Sequence, residues 1–270
     1  MTLIDRTAAR LGGRRIAVTR PREQSQRLAA GIEAAGGVAI VFPLIEIGGP
    51  PDPAALDALI DRLDQFDWAF FSSPTAVDQA FERIRARRAL PQHWAVAAIG
   101  EGTQRALARH GVSDVLAPSA RFDSEALLAL APLAAMSGLQ ALIFRGQAGR
   151  EALGDGLLAR GAQVHYAECY SRHRPESDAS VLADAARAGA LDALVITSSE
   201  ALHNLVAMCR GLDARALWQT EVFVPHARIA DAVQAAGFVR VVQTEGGDAG
   251  VLRGLIDAMA PVAPAGDARR

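Results

Sequence analysis

The chain repeats itself, and this constrains its fold more than any single motif does. Segments about 125 residues apart agree in pattern, order and punctuation. IAVTRPREQSQRLAAGIEAAGGVAIVFPLIEI (Ile16–Ile47) parallels ALIFRGQAGREALGDGLLARGAQVHYAECYSR (Ala141–Arg172), which sets Arg20 on Arg145 and Gly36 on Gly161. After one residue of slip, AFFSSPTAVDQAF (Ala69–Phe81) parallels VITSSEALHNLVA (Val195–Ala207), so Ser72 and Ser73 fall on Ser198 and Ser199. AIGEGTQRALARHGV (Ala98–Val112) then matches VPHARIADAVQAAGF (Val224–Phe238), with Gly111 on Gly237. The period is too long for a solenoid, whose units run ~20–50 residues. A duplicated α/β module is expected, and with it a two-lobed protein with a cleft.

Short apolar runs alternate with helical patterns throughout, as βα units of parallel sheets do. Strands are predicted at Arg15–Thr19, Val38–Phe42, Trp68–Phe71, Ala95–Ile99, Asp114–Leu116, Ala141–Phe144, Gln163–Ala167, Ala193–Thr197, Glu221–Val224 and Val239–Gln243. Helices are predicted near 23–35, 54–64, 75–87, 101–110, 124–130, 150–160, 178–188, 200–209, 228–236 and 249–258. Gly36, Gly111, Gly161, Gly189 and Gly237 stand where a helix C-terminus turns into the left-handed region. Five strands per module predict two flavodoxin-like, doubly wound parallel sheets. Val38–Ile47 and Gln163–His173 stay extended for about ten residues, where ~5–6 is usual. They occupy equivalent places in the repeats and read either as a two-strand hinge or as strands followed by extended loops.

The length of 270 residues is ample for two cores, and a net charge of −2 provides no basic field for nucleic acid. All the basic residues apart from histidine are arginine, which fits a GC-rich genome better than a functional demand. Two cysteines, Cys169 and Cys209, form no CxxC pair, so neither a metal site nor a disulfide framework is supported and a cytoplasmic location is expected. No apolar run approaches the ~20 residues of a membrane span. The N-terminus MTLIDRTAARLGGRR lacks an apolar signal core, and the tail PVAPAGDARR reads as frayed.

Several chemistries leave no trace. There is no GxxxxGK[ST] loop, and Gly100-Glu101-Gly102 is followed by Arg105 where a dinucleotide fingerprint needs its third glycine. The histidines (His93, His110, His165, His173, His203, His226) show no metal-ligand spacing, and there is no GxSxG elbow. What recurs is small or polar residues at strand C-termini ahead of helices. These are Thr19-Arg20-Pro21, Ser72-Ser73, Gly100-Glu101-Gly102, Arg145-Gly146-Gln147, Thr197-Ser198-Ser199 and His226-Ala227-Arg228. Ligands of open α/β sheets bind at this edge, and free N–H groups at helix starts favour anions. Ser73 and Ser199 read equally as helix N-caps. Arg20 and Arg145 suit carboxylate or phosphate. Tyr170, in the second extended segment, reads as a packed side chain, a ligand contact or a proton donor. Strand alternation turns the neighbouring Cys169 to the opposite face.

At these residues the chain resembles the uroporphyrinogen-III synthase family. The resemblance runs from about Gly13 to Ala260 and is carried by VTRP (Val18–Pro21), FPLIEI (Phe42–Ile47), FFSSPTAV (Phe70–Val77), AAIGEGT (Ala97–Thr103), RGQAGRE (Arg145–Glu151), GAQVHYAECYSR (Gly161–Arg172), ITSSEAL (Ile196–Leu202) and VPHARIADAVQAAGF (Val224–Phe238). No single motif is diagnostic; the ordered set, together with the length, carries the specificity. The resemblance implies two α/β lobes joined by a two-strand linker, one built from 1–46 plus 170–270 and the other from 47–169. It implies a polycarboxylate tetrapyrrole substrate, hydroxymethylbilane, and its cyclisation with loss of water and inversion of the D ring. It further implies no cofactor, no metal, no nucleic-acid or membrane partner, and a monomer with room for a transient contact with the preceding pathway enzyme. Tyr170 matches the position of a tyrosine proposed in the family as the acid for the departing hydroxyl. Arg20, Pro21, Ser72, Ser73, Gly100, Arg145, Gly146, Thr197, Ser198, Ser199, His226 and Arg228 are the implied substrate contacts. Where many relatives read G-x-T or G-x-x-T, this chain has His226-Ala227-Arg228, so a hydroxyl's role there is not conferred and Arg228 would grip a carboxylate instead. A non-enzymatic two-lobed anion-binding protein is the main rival, with a nucleotide-dependent transferase third.

Overall fold

The computed structural model describes residues 10–91, 93–119, 121–149 and 151–259. The readings of the extreme N-terminus and of the Pro261–Arg270 tail, like Arg150 at the start of the sixth predicted helix, fall outside these. By its internal contacts the chain divides into two units. One runs through Glu46 and resumes at His173; the other is Ile47–Arg172. Tyr170, Ser171 and Arg172 thus stay with the middle segment.

The first unit carries a five-stranded sheet of β1 (Arg15–Val18), β2 (Val38–Val41), β8 (Ala193–Val195), β9 (Glu221–Val224) and β10 (Val241–Gln243), in the order β10-β9-β8-β1-β2. Every pair in it is parallel. Helices α1 (Arg22–Ala34), α7 (Ser180–Arg187), α8 (Ser199–Met208), α9 (Arg215–Trp218), α10 (Ala227–Ala235) and α11 (Gly247–Met259) belong to this unit. β1 and β8 are buried on both faces, as Ile16, Ala17 and Val18 beside Ala193, Leu194 and Val195 show, so their runs are continuously apolar and not alternating.

The second unit has β3 (Glu46–Gly48), β4 (Trp68–Phe71), β5 (Ala95–Ala98), β6 (Gln140–Gly146) and β7 (Gln163–His173), in the order β3-β7-β6-β4-β5. Its helices are α2 (Pro53–Asp61), α3 (Pro74–Arg85), α4 (Glu101–Arg109), α5 (Ser124–Leu128) and α6 (Ala152–Leu158). The run β7-β6-β4-β5 reproduces β2-β1-β8-β9 of the other sheet, as the repeat requires. One layer of side chains, including Phe71, Phe81, Leu142 and Phe144, packs on one face of the sheet; the other layer, with Phe70, Leu127, Ile143 and Leu157, packs on the opposite face.

Four expectations need correction. Asp114–Leu116 is no strand, for only Leu116 forms a bridge, to Ala97. The fifth strand of that sheet is β3, hidden in the extended run Val38–Ile47, which leaves the first sheet after Val41 and bends at Leu44 and Ile45. Ser198, not Ser199, caps α8, matching Ser73 on α3; the one-residue slip between repeats therefore falls after the caps. Finally, Cys169 and Tyr170 do not point to opposite faces. The register of β7 against β6 jumps between Arg145↔Glu168 and Gly146↔Tyr170, and this bulge turns both side chains into the layer holding Phe71 and Phe144. The five helix-ending glycines all adopt positive φ, from 64° to 104°.

Candidate active site

In each sheet the strand order reverses at one gap. In the first unit it lies between β1 and β8, in the second between β6 and β4. Doubly wound folds hold ligands at the strand C-termini beside this gap. The predicted residues sit there: Arg20 and Pro21 after β1, Thr197 to Ser199 after β8, Ser72 and Ser73 after β4, and Arg145 and Gly146 closing β6. Gly100 and His226 are the N-cap residues one strand further out, on α4 and α10.

In the second unit the predicted residues other than Gly100 border a cavity of about 400 Å³. Ser72, Ser73, Arg145, Gly146, Gln147 and Tyr170 line it, together with residues not singled out in the sequence: Ile99, Phe122, Asp123, Ser124, Ile143, Ala148, Gly149, Leu153 and Arg172. Two of these had legible signals. Asp123 precedes an apolar helical run and caps α5 by accepting from the Ala126 N–H at 2.8 Å. Arg172 stands two residues beyond Tyr170, on the same side of an extended strand. Phe122 had none. It leaves 54% of its surface exposed at the cavity, and a Cβ on Gly100 would meet its Cβ at 3.3 Å.

Tyr170 is 2% exposed, with its hydroxyl 3.2 Å from Ser73 Oγ and accepting from Arg172 Nη2 at 3.1 Å. Ser73 Oγ also accepts from the Ala76 N–H at 3.1 Å, so one side chain caps α3 and holds the phenol. The Tyr170 ring lies on Gly146, where a Cβ would come within 2.6 Å of Cζ. Tyr166, the other tyrosine, donates instead to Glu151 Oε2 at 3.3 Å. Burial and then the Glu151 carboxylate push its hydroxyl above the usual range, so it yields its proton less readily.

Arg145 is only 8% exposed. Its guanidinium reaches Glu151 and Glu168 at 3.3 Å each and the Gly149 carbonyl at 3.4 Å, and covers the Tyr166 ring at 4.1 Å. Glu168 also accepts from the Ala148 N–H at 3.4 Å, and Ala148 holds a left-handed φ of 53°. Arg145 thus braces the loop that walls the cavity, and its buried Nε finds no hydrogen-bond partner among the described residues. In the first unit, Arg20 is ion-paired with Asp248 at the start of α11. Ser198 Oγ accepts from the Ala201 N–H at 3.1 Å, while His226 caps α10 without a side-chain bond and Arg228 is exposed on its first turn. Among the described residues no cluster of three metal-ligating side chains forms, and no helix is long and apolar enough to cross a membrane.

Two doubly wound parallel sheets built from one duplicated chain, each with polar residues at its switch point, define the class. Comparison with known proteins narrows it. The family described as uroporphyrinogen-III synthase HemD matches residues 26–251. A uroporphyrinogen-III synthase of Salmonella typhimurium is 41% identical over 70% of this chain and 78% of its own. One from Escherichia coli is 36% identical over 79% and 85%. In structure, a mutant uroporphyrinogen III synthase of the extreme thermophile Thermus thermophilus superposes with a TM-score of 0.60 at 20% identity, covering 91% of this chain and 98% of its own. The Helicobacter pylori enzyme gives 0.56 at 16%, covering 91% and 97%; at such identities the fold alone is shared. The chain belongs to the uroporphyrinogen-III synthase family.

Proposed function

We propose that this chain converts hydroxymethylbilane to uroporphyrinogen III, with Tyr170 as the acid for the departing hydroxyl. The observation that carries this reading is the Tyr170 hydroxyl at the cavity wall, held between Ser73 and Arg172. The terminal C–O bond breaks with its electron pair on oxygen. The phenol supplies a proton, water leaves, and an azafulvene cation remains. The D ring then attacks through its substituted carbon, and the spiro intermediate opens and recloses with that ring inverted. The proton shed as the macrocycle forms restores the phenol, so atoms and charge balance without a co-reactant.

The residues suit the substrate's chemistry. Carboxylates are met by helix-start N–H groups behind Ser73, Gly100, Ser198 and His226, and by arginine. Pyrrole faces are met by Phe122, Ile99 and Ile143. Arg20, Pro21, Ser72, Arg145, Gly146, Thr197, Ser199 and Arg228 complete the proposed contact set. Arg145 serves chiefly by bracing its loop, since its guanidinium is engaged by two carboxylates. Catalysis rests largely on folding the linear chain so that its ends meet in one orientation. The protein works as a monomer in the cytoplasm, without a cofactor, and meets the preceding enzyme of the pathway only transiently.

Product isomer analysis tests this. Purified protein is given hydroxymethylbilane, the products are oxidised, and type I and type III porphyrins are separated by chromatography. A dominant type III product is expected. Type I alone, at the protein-free rate, overturns the reading and leaves an anion-binding protein.

A further inference from the structure

We propose that Arg172 is a positioning residue of the reaction, acting through the Tyr170 hydroxyl to aim and release its proton; this rests on Tyr170 being the acid. A phenol oxygen has one proton to give and two lone pairs to fill, whereas a guanidinium can only donate. Arg172 Nη2 donates to Tyr170 Oη at 3.1 Å and so occupies one lone pair. Ser73 Oγ, 3.2 Å away, has filled one of its own acceptor positions with the Ala76 N–H at 3.1 Å. It can turn its proton toward the phenol oxygen and fill the second lone pair. The phenolic proton then has no protein acceptor in this set and is free for a ligand oxygen in the cavity, which Ser73, Tyr170 and Arg172 all line.

Electrostatics point the same way. When the proton leaves with the substrate's hydroxyl, negative charge develops on the phenol oxygen, next to a cation already in place. That contact strengthens from ground state to transition state, which is the condition for accelerating a step and not merely tightening binding. The Arg172 guanidinium also lies 5.5 Å from the Tyr170 ring centroid and steadies the ring itself. The β7 bulge is what makes the pair: it sets the Tyr170 ring on Gly146 beside Ser73 at the cavity wall, and Arg172 follows two residues later within reach of its hydroxyl. Arg172 belongs to the exposed surface, so its replacement leaves no hole in the core.

A double-mutant cycle tests the coupling, with Arg172→Gln, Arg172→Lys, Tyr170→Phe and Arg172→Gln/Tyr170→Phe assayed for type III product. Arg172→Gln should lower kcat by about ten- to a hundredfold, the value of a hydrogen bond to a charged group, with KM changed by less than about threefold. Arg172→Lys should recover part of that loss, since an ammonium also donates but without the planar fork. In the Tyr170→Phe background, Arg172→Gln should change nothing further. Multiplying effects in the double variant, or a rise in KM alone, would overturn the proposal in favour of a plain substrate contact. Unchanged turnover in Arg172→Gln beside a slow Tyr170→Phe removes Arg172's role and leaves the acid in place. Unchanged turnover in Tyr170→Phe removes both.

Discussion

Tyr170 owes its place to a missing side chain. Gly146 faces the phenol ring so closely that any Cβ would overlap Cζ and Oη, at 2.6 and 2.9 Å. Gly146→Ala should therefore push the ring off Ser73 and cost turnover on the scale of losing a general acid, about a hundredfold, while destabilising the fold by only ~1–3 kcal/mol. Type III formation measured beside chemical unfolding separates the two effects. The neighbouring Cys169 shares this buried layer, and burial pushes its thiol up to about 12. Cys209 is raised by the same cause. Neither should react with a disulfide reagent at neutral pH in the folded protein, and both should titrate once denaturant is added. Tyr170 was legible in the sequence as a polar ring in an extended segment. The bulge that sets its direction was not, because nothing in AECYSR marks where pairing with β6 skips a residue.

At the scale of elements, the site is made of helix starts. Ser73 on α3 and Ser198 on α8 occupy the same position in the two repeats, each accepting from the N–H three residues on at 3.1 Å. Replacing either by alanine should cost about 1 kcal/mol of stability, read as a shift in the urea midpoint. Ser73→Ala should in addition slow turnover, because it removes a partner of the Tyr170 hydroxyl. The glycine stops and most helices could be read from the chain, since each depends on neighbours a few residues away; the α8 cap lies one residue before the position expected, at Ser198 and not Ser199. β3 could not be read this way. Three residues, Glu46–Gly48, become a strand only because β7 offers them an edge. Asp114–Leu116 fails for the converse reason: only Leu116 pairs, and its partner is Ala97.

For the molecule as a whole, the repeat extends to a clasp at the strand N-termini. Asp192 accepts the Arg15 N–H at 2.8 Å, and Asp67, its counterpart, accepts the Gln140 N–H at 2.8 Å. Each aspartate thereby ties a strand of one repeat to a strand of the other. Burial opposes the Asp192 charge, but the Arg15 N–H and the Arg14 and Arg15 guanidinium groups outweigh it and hold its carboxyl below the ordinary range. A depressed folded-state value gives stability that is complete above the unfolded value of about 3.9 and is lost as pH falls through the folded one. Asp192→Asn should be less stable than the parent at pH 7 by ~2 kcal/mol, with the gap closing on acidification toward pH 3. A gap that stays constant with pH would refute the clasp's charge dependence. The sequence alone determined the duplication, the α/β class, the switch-point residues and the family, because all of these are written in local pattern and order. The repeat pattern by itself could not say which copy's strands pair. β4 and β8 read alike, either could lie beside β1, and a local pattern is silent between two equal partners. The resemblance implied which segments share a lobe, but only the tertiary structure decided the direct pairing and register of β1 with β8 and of β6 with β4, since these lie in contacts between residues far apart along the chain, such as Ile16 with Ala193 and Trp68 with Ala141.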